Sequence, residues 1–288
     1  MAGPVPPFEP RPGPGYRLRN NARLRGSRHF SQLHIRAIVP NALTVLALCA
    51  GLTAIRFAIE GLFQLAVIAI IIASVFDALD GRIARLLQGS TRFGAELDSL
   101  TDFVNFGVAP VVVLYLWSLG DIGGIGWTAV LSYSVCCALR LARFNVALED
   151  PDKPAWVGNY FVGVPAPAAA GLVMLPLYLS FVGVTWLQDM PLLIALHAVV
   201  VAFLMISQLP TFSGKRMGVR IRREMVLPIL LFVGLAAAII LSYPWIAFIG
   251  LCVIYMASLP LAFMRYRYHK KRMAGELPQE VDNLEVKE

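Results

Sequence analysis

Four aspartates, Asp77, Asp80, Asp98 and Asp102, sit among long apolar runs. Charged side chains within membrane segments are costly, so each is a candidate for function. On a helix, Asp77 and Asp80 (i, i+3) share one face, and Asp98 and Asp102 (i, i+4) share another. If their helices run antiparallel through the short connection between them, the two faces meet. Four carboxylates converging at low dielectric repel one another, and a divalent cation removes that repulsion. Oxygen-rich clusters of this kind suit Mg²⁺ or Mn²⁺ rather than zinc.

The residues between the acids extend this reading. Gly81 and Ala84 follow Asp77 and Asp80 on the same stripe, where small side chains leave room for a bulky group. Arg85 lies one turn beyond Gly81 and can meet phosphate, and Gly94 lies one turn before Asp98. A purely structural alternative has the small residues serving helix packing and the aspartates pairing with Arg82, Arg85 and Arg92. The four cysteines, Cys49, Cys136, Cys137 and Cys252, lie inside apolar blocks, which argues against a disulfide framework or a zinc site.

These residues need membrane helices to position them. Of 288 residues, 58% are apolar and 15% charged, against about 45–50% and about 25% in soluble domains. The apolar residues fall in blocks of roughly twenty, the length of a helix crossing the bilayer core. The composition excludes a soluble enzyme, a disordered chain and a collagen-like chain, and the alternation of a membrane barrel is missing. The chain reads as an all-α, polytopic helical membrane protein of eight spans, at about 36–58, 62–80, 97–118, 125–146, 162–183, 191–209, 225–242 and 245–264. Residues 1–35 form a basic N-terminal segment, 36–264 the membrane domain with its catalytic core over 36–215, and 265–288 a polar tail. No cleavable signal peptide is visible, because the Pro/Arg-rich N-terminus precedes the first apolar block. Tyr16–Ile35 mixes Arg with Leu, Phe and His and reads as an interfacial amphipathic helix or a basic flank.

The net charge of +7 is a matter of topology. All but one of the 25 Lys and Arg residues fall in the termini and in the loops on one side of the eight-span arrangement, Arg56 being the exception. The positive-inside rule makes that side cytoplasmic and puts both termini there. The partner of this charge is an anionic lipid surface, not nucleic acid.

From Asp77 to Asp102 the chain reads DALDGRIARLLQGSTRFGAELDSLTD, which fits D-x2-D-G-x2-A-R-x8-G-x3-D-x3-D at every fixed position. This resembles the signature of the CDP-alcohol phosphatidyltransferases, membrane enzymes that join a CDP-linked lipid or alcohol to an acceptor hydroxyl. The resemblance implies two divalent metals, Mg²⁺ or Mn²⁺, on Asp77, Asp80 and Asp98, with Asp102 adjoining as ligand and as the base that takes the acceptor's proton. It implies that Gly81 and Ala84 accommodate cytidine and that Arg85 meets the phosphates, with Gly94 beside them. Pro40-Asn41-Ala42-Leu43-Thr44 looks like the family's P-N-x-x-T start, which implies that Asn41 and Thr44 lie near the nucleotide. The motif alone is weak, since a Pro-Asn helix start and a back-bonded Thr are common.

The signature leaves the acceptor alcohol open. Residues 102–110, 140–145, 163–170 and 207–215 look like the serine-accepting, phosphatidylserine-forming branch, which implies CDP-diacylglycerol as donor and L-serine as acceptor. Choline, glycerol phosphate and inositol phosphate are the alternatives, and a divalent-cation transporter is a distant one. A serine carboxylate needs a cationic partner, for which Arg140 and Arg143 (i, i+3) are candidates, with Asn145 adding a hydrogen bond. Arginines marking the cytoplasmic end of the fourth span would look the same. The resemblance further implies a homodimer in a bacterial inner membrane, with its active site at the cytoplasmic face. Spans seven and eight show no chemistry and read as packing.

Overall fold

A computed structural model describes residues 35–87, 89, 91–148, 160–207, 210–212 and 225–259. The amphipathic candidate up to its last residue, the tail and the whole basic loop at 215–223 lie outside the described residues. Helix α1 (Ile35–Ile59) leads through a turn at Gly61 into α2 (Phe63–Leu86), and these two make the most extensive helix contact in the molecule. Helix α3 (Arg92–Asp102) continues through a π-helical turn, Phe103–Val108, into α4 (Ala109–Trp117). Helix α5 (Gly124–Leu148) packs chiefly on α8 (Pro191–Ile206), with the short helices α6 (Ala166–Val173) and α7 (Leu175–Phe181) between them in sequence. A short antiparallel ribbon pairs β1 (Tyr160–Val162) with β2 (Pro210–Phe212). Helix α9 (Val226–Ser242) is followed by α10 (Pro244–Leu259), bent from it by 118°.

Small residues set the helix contacts. Ala47, Ala54 and Ala58 on α1 and Ala66, Ala69 and Ala73 on α2 are buried, and these small side chains let helix axes approach closely. The outward faces are apolar: Leu52, Ile72, Leu139, Leu196 and nearly the whole of α9 are exposed. That is the surface of a protein solvated by lipid chains.

The expected number of spans is met only in part. Among the described residues four helices are long and apolar enough to cross a membrane, and five if α9 and α10 count as one bent span. The fifth expected span is interrupted at Met174, because Pro176 lacks the N–H that would bond Leu172 O. His197 of α8 takes that place, its Nε2 lying 2.9 Å from Leu172 O, so the ring carries its proton on Nε2. The sixth is a 16-residue helix, about 24 Å long. Arg56, the exception to the expected charge pattern, pairs with Glu60 at 2.9 Å.

Gly163 is fixed by geometry. Its φ is +84°, and a Cβ there would overlap Met205 O, so the chain entering α6 can pass the end of α8 only as glycine.

Candidate active site

Asp77 and Asp80 occupy the last turns of α2, and Asp98 and Asp102 the second half of α3. Thr91 starts α3 as its N-cap, its Oγ1 accepting from Gly94 N at 3.0 Å. The connection from Leu87 to Thr91 is short enough to bring the two helices back alongside each other. As a result Asp77, Asp98 and Asp102, all half-buried, each offer a carboxylate oxygen within 4.8 Å of the others. Asp80 is buried and turns toward α1, where Thr44 Oγ1 donates to its Oδ2 at 2.6 Å.

The aspartates are not neutralised by arginine. Among the described residues the one ion pair is Arg56–Glu60, on the opposite side of the helices, so pairing with Arg82, Arg85 or Arg92 does not account for the acids. Asp102 Oδ1 is enclosed and has no hydrogen-bond partner. Gathered carboxylates with an orphaned acceptor oxygen and no cationic side chain are the donor set a hard divalent cation requires.

The backbone beyond Asp102 is built to hold it. The π turn carries Ala109 N–H back to Val104 O, and Pro110 removes the donor that an α-helix would send to Phe106 O. Two hydroxyls of α5 bond this turn: Tyr133 Oη donates to the Phe106 O so released at 3.0 Å, and Ser134 Oγ to Gly107 O at 2.9 Å. A Cβ on Gly107 would lie 3.0 Å from Cys137 Sγ, so glycine lets α5 approach this turn.

A cavity of about 390 Å³ opens between α1, α2 and α3 beside the acids. All six residues expected at the nucleotide, Asn41, Thr44, Gly81, Ala84, Arg85 and Gly94, line it, together with Asp80 and Asp98. A Cβ on Gly81 would meet no atom within 4 Å, whereas one on Gly94 would lie 2.7 Å from Asn41 Oδ1. Thr91 and Gly89 also line the cavity and were missed, although a Thr opening a helix is a legible cap.

The three expected acceptor residues separate. Arg140 is 8% exposed, lies within electrostatic range of Asp102, and has an enclosed, unpartnered Nε. Arg143 Nη1 donates to Ile206 O at 3.2 Å, and Asn145 Nδ2 to Ser99 Oγ at 2.9 Å. Arg140 is thus the one of the three that meets Asp102, while Asn145 reaches α3 at Ser99, next to Asp98. Thr101 and Asn105, buried beside Asp102 with unpartnered polar atoms, were not anticipated.

The family described as CDP-alcohol phosphatidyltransferase matches residues 37–187, which contain the whole cluster and cavity. This chain is a CDP-alcohol phosphatidyltransferase family member. A second family description, CDP-alcohol phosphatidyltransferase 2, matches residues 224–260. Among relatives, a Mycobacterium leprae protein named CDP-diacylglycerol–serine O-phosphatidyltransferase is 41% identical over 80% of this chain and 76% of its own length. A Mycobacterium tuberculosis protein of the same name is 37% identical over 80% of each chain. A Bacillus subtilis protein of that name is 32% identical over 59% of this chain and 88% of its own. Family membership and the apolar helices make the protein an integral membrane protein.

Proposed function

We propose that this protein is a transferase of phospholipid biosynthesis that moves the phosphatidyl group of CDP-diacylglycerol onto the hydroxyl of L-serine, giving phosphatidylserine and CMP. The observation that carries the reading is the carboxylate cluster opening onto the cavity between α1, α2 and α3. The relatives' names supply serine as the acceptor.

Asn41, Thr44, Gly81, Ala84 and Gly94 form the walls against which the cytidine lies, and Arg85 reaches its phosphates. Asp77, Asp80, Asp98 and Asp102 hold two divalent cations, Mg²⁺ or Mn²⁺, whose chemistry is to withdraw charge from the attacked phosphorus and the leaving oxygen. Asp102 accepts the proton of the serine hydroxyl. The serine oxygen bonds to the phosphorus bearing diacylglycerol, the pyrophosphate P–O bond breaks, and CMP departs with its electron pair. General-base assistance of this kind is worth about 10²–10⁴-fold.

The chain crosses the membrane eight times in this reading. In it helices α6 and α7 make one broken pass, α8 a short one, and α9 and α10, which meet at a bend of 118°, are taken as one pass each. The even count puts both termini on the Arg/Lys-rich cytoplasmic side of a bacterial inner membrane, with the site at that face. A homodimer agrees with the prevalence of twofold assemblies.

The test supplies purified protein with CDP-diacylglycerol, Mn²⁺ or Mg²⁺, and serine, choline, glycerol phosphate or inositol phosphate in turn, following CMP release and lipid product. Serine is expected to give product. No product with serine, together with product from another alcohol, overturns the assignment.

A further inference from the structure

Helix α10 carries a polar group that packing does not explain. The Tyr255 hydroxyl is enclosed and has no hydrogen-bond partner. An orphaned buried hydroxyl is expensive and calls for an explanation. The helix is held in place by its neighbours: Cys252, one turn earlier, sets its Sγ 3.6 Å from Gly171 O of α6. The Tyr255 ring lines an apolar cavity of about 520 Å³ that also touches Ala78 and Arg82 of α2 and Ala168 of α6. Its polar end is within electrostatic range of Arg140, which in turn is within range of Asp102.

Unsatisfied, enclosed polar atoms therefore come from three elements besides the π turn: Asp102 Oδ1 and Thr101 Oγ1 from α3, Arg140 Nε from α5 and Tyr255 Oη from α10. Of these, Asp102, Arg140 and Tyr255 are the ones that can hold a charged or ionisable partner. Arg140 is 8% exposed and has no carboxylate in ion-pair contact. A buried guanidinium without a counter-ion is a place for an anion, and Arg together with a phenol offers the donors a carboxylate accepts. The group that completes all three is a small molecule with a carboxylate at one end and a hydroxyl at the other.

We propose that Tyr255 of α10 is a specificity-determining residue of the acceptor site, its hydroxyl and Arg140 Nε together holding the carboxylate of L-serine while the serine hydroxyl meets Asp102. The proposal rests on the reading of serine as acceptor, and it gives the last helix a part in substrate choice. Choline has no carboxylate to offer this pair, so its cation would enter with no anionic group to meet Arg140. Tyr255 does not line the cavity between α1, α2 and α3 to which the cytidine is assigned.

Steady-state kinetics with the full-length protein test this. Wild type is expected to show a KM for L-serinamide at least about tenfold above that for L-serine, since a hydrogen bond to a charged group is lost. Tyr255→Phe is expected to raise the KM for L-serine about tenfold, leave the KM for CDP-diacylglycerol at the wild-type value, and narrow the serine-to-serinamide preference. A general packing defect would instead disturb both substrates and leave that preference intact. Equal use of serinamide and serine by wild type overturns the proposal without any variant, so it stays exposed even if Tyr255→Phe does not fold. An unchanged serine KM in a folded Tyr255→Phe protein overturns the role of Tyr255 alone. Wild type that makes no phosphatidylserine at all overturns the acceptor reading and this proposal with it.

Discussion

Thr44 Oγ1 on α1 donates to Asp80 Oδ2 on α2 at 2.6 Å, joining residues 36 positions apart. The bond fixes which oxygen of Asp80 faces the cavity and ties the wall of that cavity to the acidic cluster. Hydrogen bonds that orient metal-binding carboxylates typically matter by about 10–100-fold in metal affinity or activity. Thr44→Val keeps the shape and removes the donor. We expect the Mn²⁺ concentration for half-maximal CMP release to rise by about that factor, with Thr44→Ser restoring it. A metal titration of activity checks this, starting from protein stripped with EDTA, in which activity should be lost and should return on adding Mn²⁺ or Mg²⁺. An unaltered titration curve in Thr44→Val would reduce the bond to a structural tie.

The carboxylates were legible because their spacing is helical. Positions i, i+3 and i, i+4 put each pair on one face whatever the tertiary fold, and a short connection leaves two helices little choice but to run back alongside each other. Gly81, Ala84, Arg85 and Gly94 followed from the same stripes, whereas Asn41 and Thr44 on α1 were expected only from the resemblance. What the chain alone concealed was long-range. Whether Arg140, Arg143 or Asn145 turns inward depends on neighbours it does not specify locally: Ile206 O takes Arg143, and Ser99 takes Asn145. Pro110 and Pro176 announce freed carbonyls at Phe106 and Leu172, but their partners Tyr133 and His197 lie 27 and 25 residues from those carbonyls. The ideal fifth span broke for that reason, and α10 looked featureless because a single buried tyrosine in an apolar helix carries no spacing signal.

Asp102 has two roles open to it, and one substitution separates them. It belongs to the gathered carboxylates, yet its Oδ1 has no partner within the protein. In Asp102→Asn one acceptor oxygen and the overall shape remain while the base is gone. Turnover should fall by about 10²–10⁴-fold and CDP-diacylglycerol binding, measured with a labelled donor, should largely survive. Equal loss of both would make Asp102 chiefly a metal ligand.

Gly81 and Gly94 face the same cavity but differ in what a side chain would strike. At Gly81 nothing lies within 4 Å of a Cβ, so Gly81→Leu should leave the thermal midpoint unchanged and fill the space meant for the nucleotide. We expect the KM for CDP-diacylglycerol to rise at least about tenfold while that for serine stays put. At Gly94 a Cβ would lie 2.7 Å from Asn41 Oδ1 and 3.1 Å from Thr91 Oγ1. Gly94→Ala should therefore act by swinging Asn41 out of place, and pairing it with Asn41→Ala should add little further loss. Additive losses in that double variant would contradict the coupling.

Tyr133 is fully buried, and its hydroxyl is the side-chain donor to the Phe106 carbonyl that Pro110 leaves open. Tyr133→Phe removes one atom and no packing, so its cost is that of an orphaned carbonyl, about 1–2 kcal/mol in an apolar interior. The thermal midpoint in detergent should fall accordingly. Because the π turn begins immediately after Asp102, kcat should drop with it while the KM for CDP-diacylglycerol does not change. Ser132→Ala is the control: its hydroxyl bonds back to Thr128 O within α5, away from the turn, and its loss should leave both quantities as they are. A Tyr133→Phe protein with wild-type stability and turnover would show that water or a lipid atom takes over the carbonyl, and that the turn needs no support from α5.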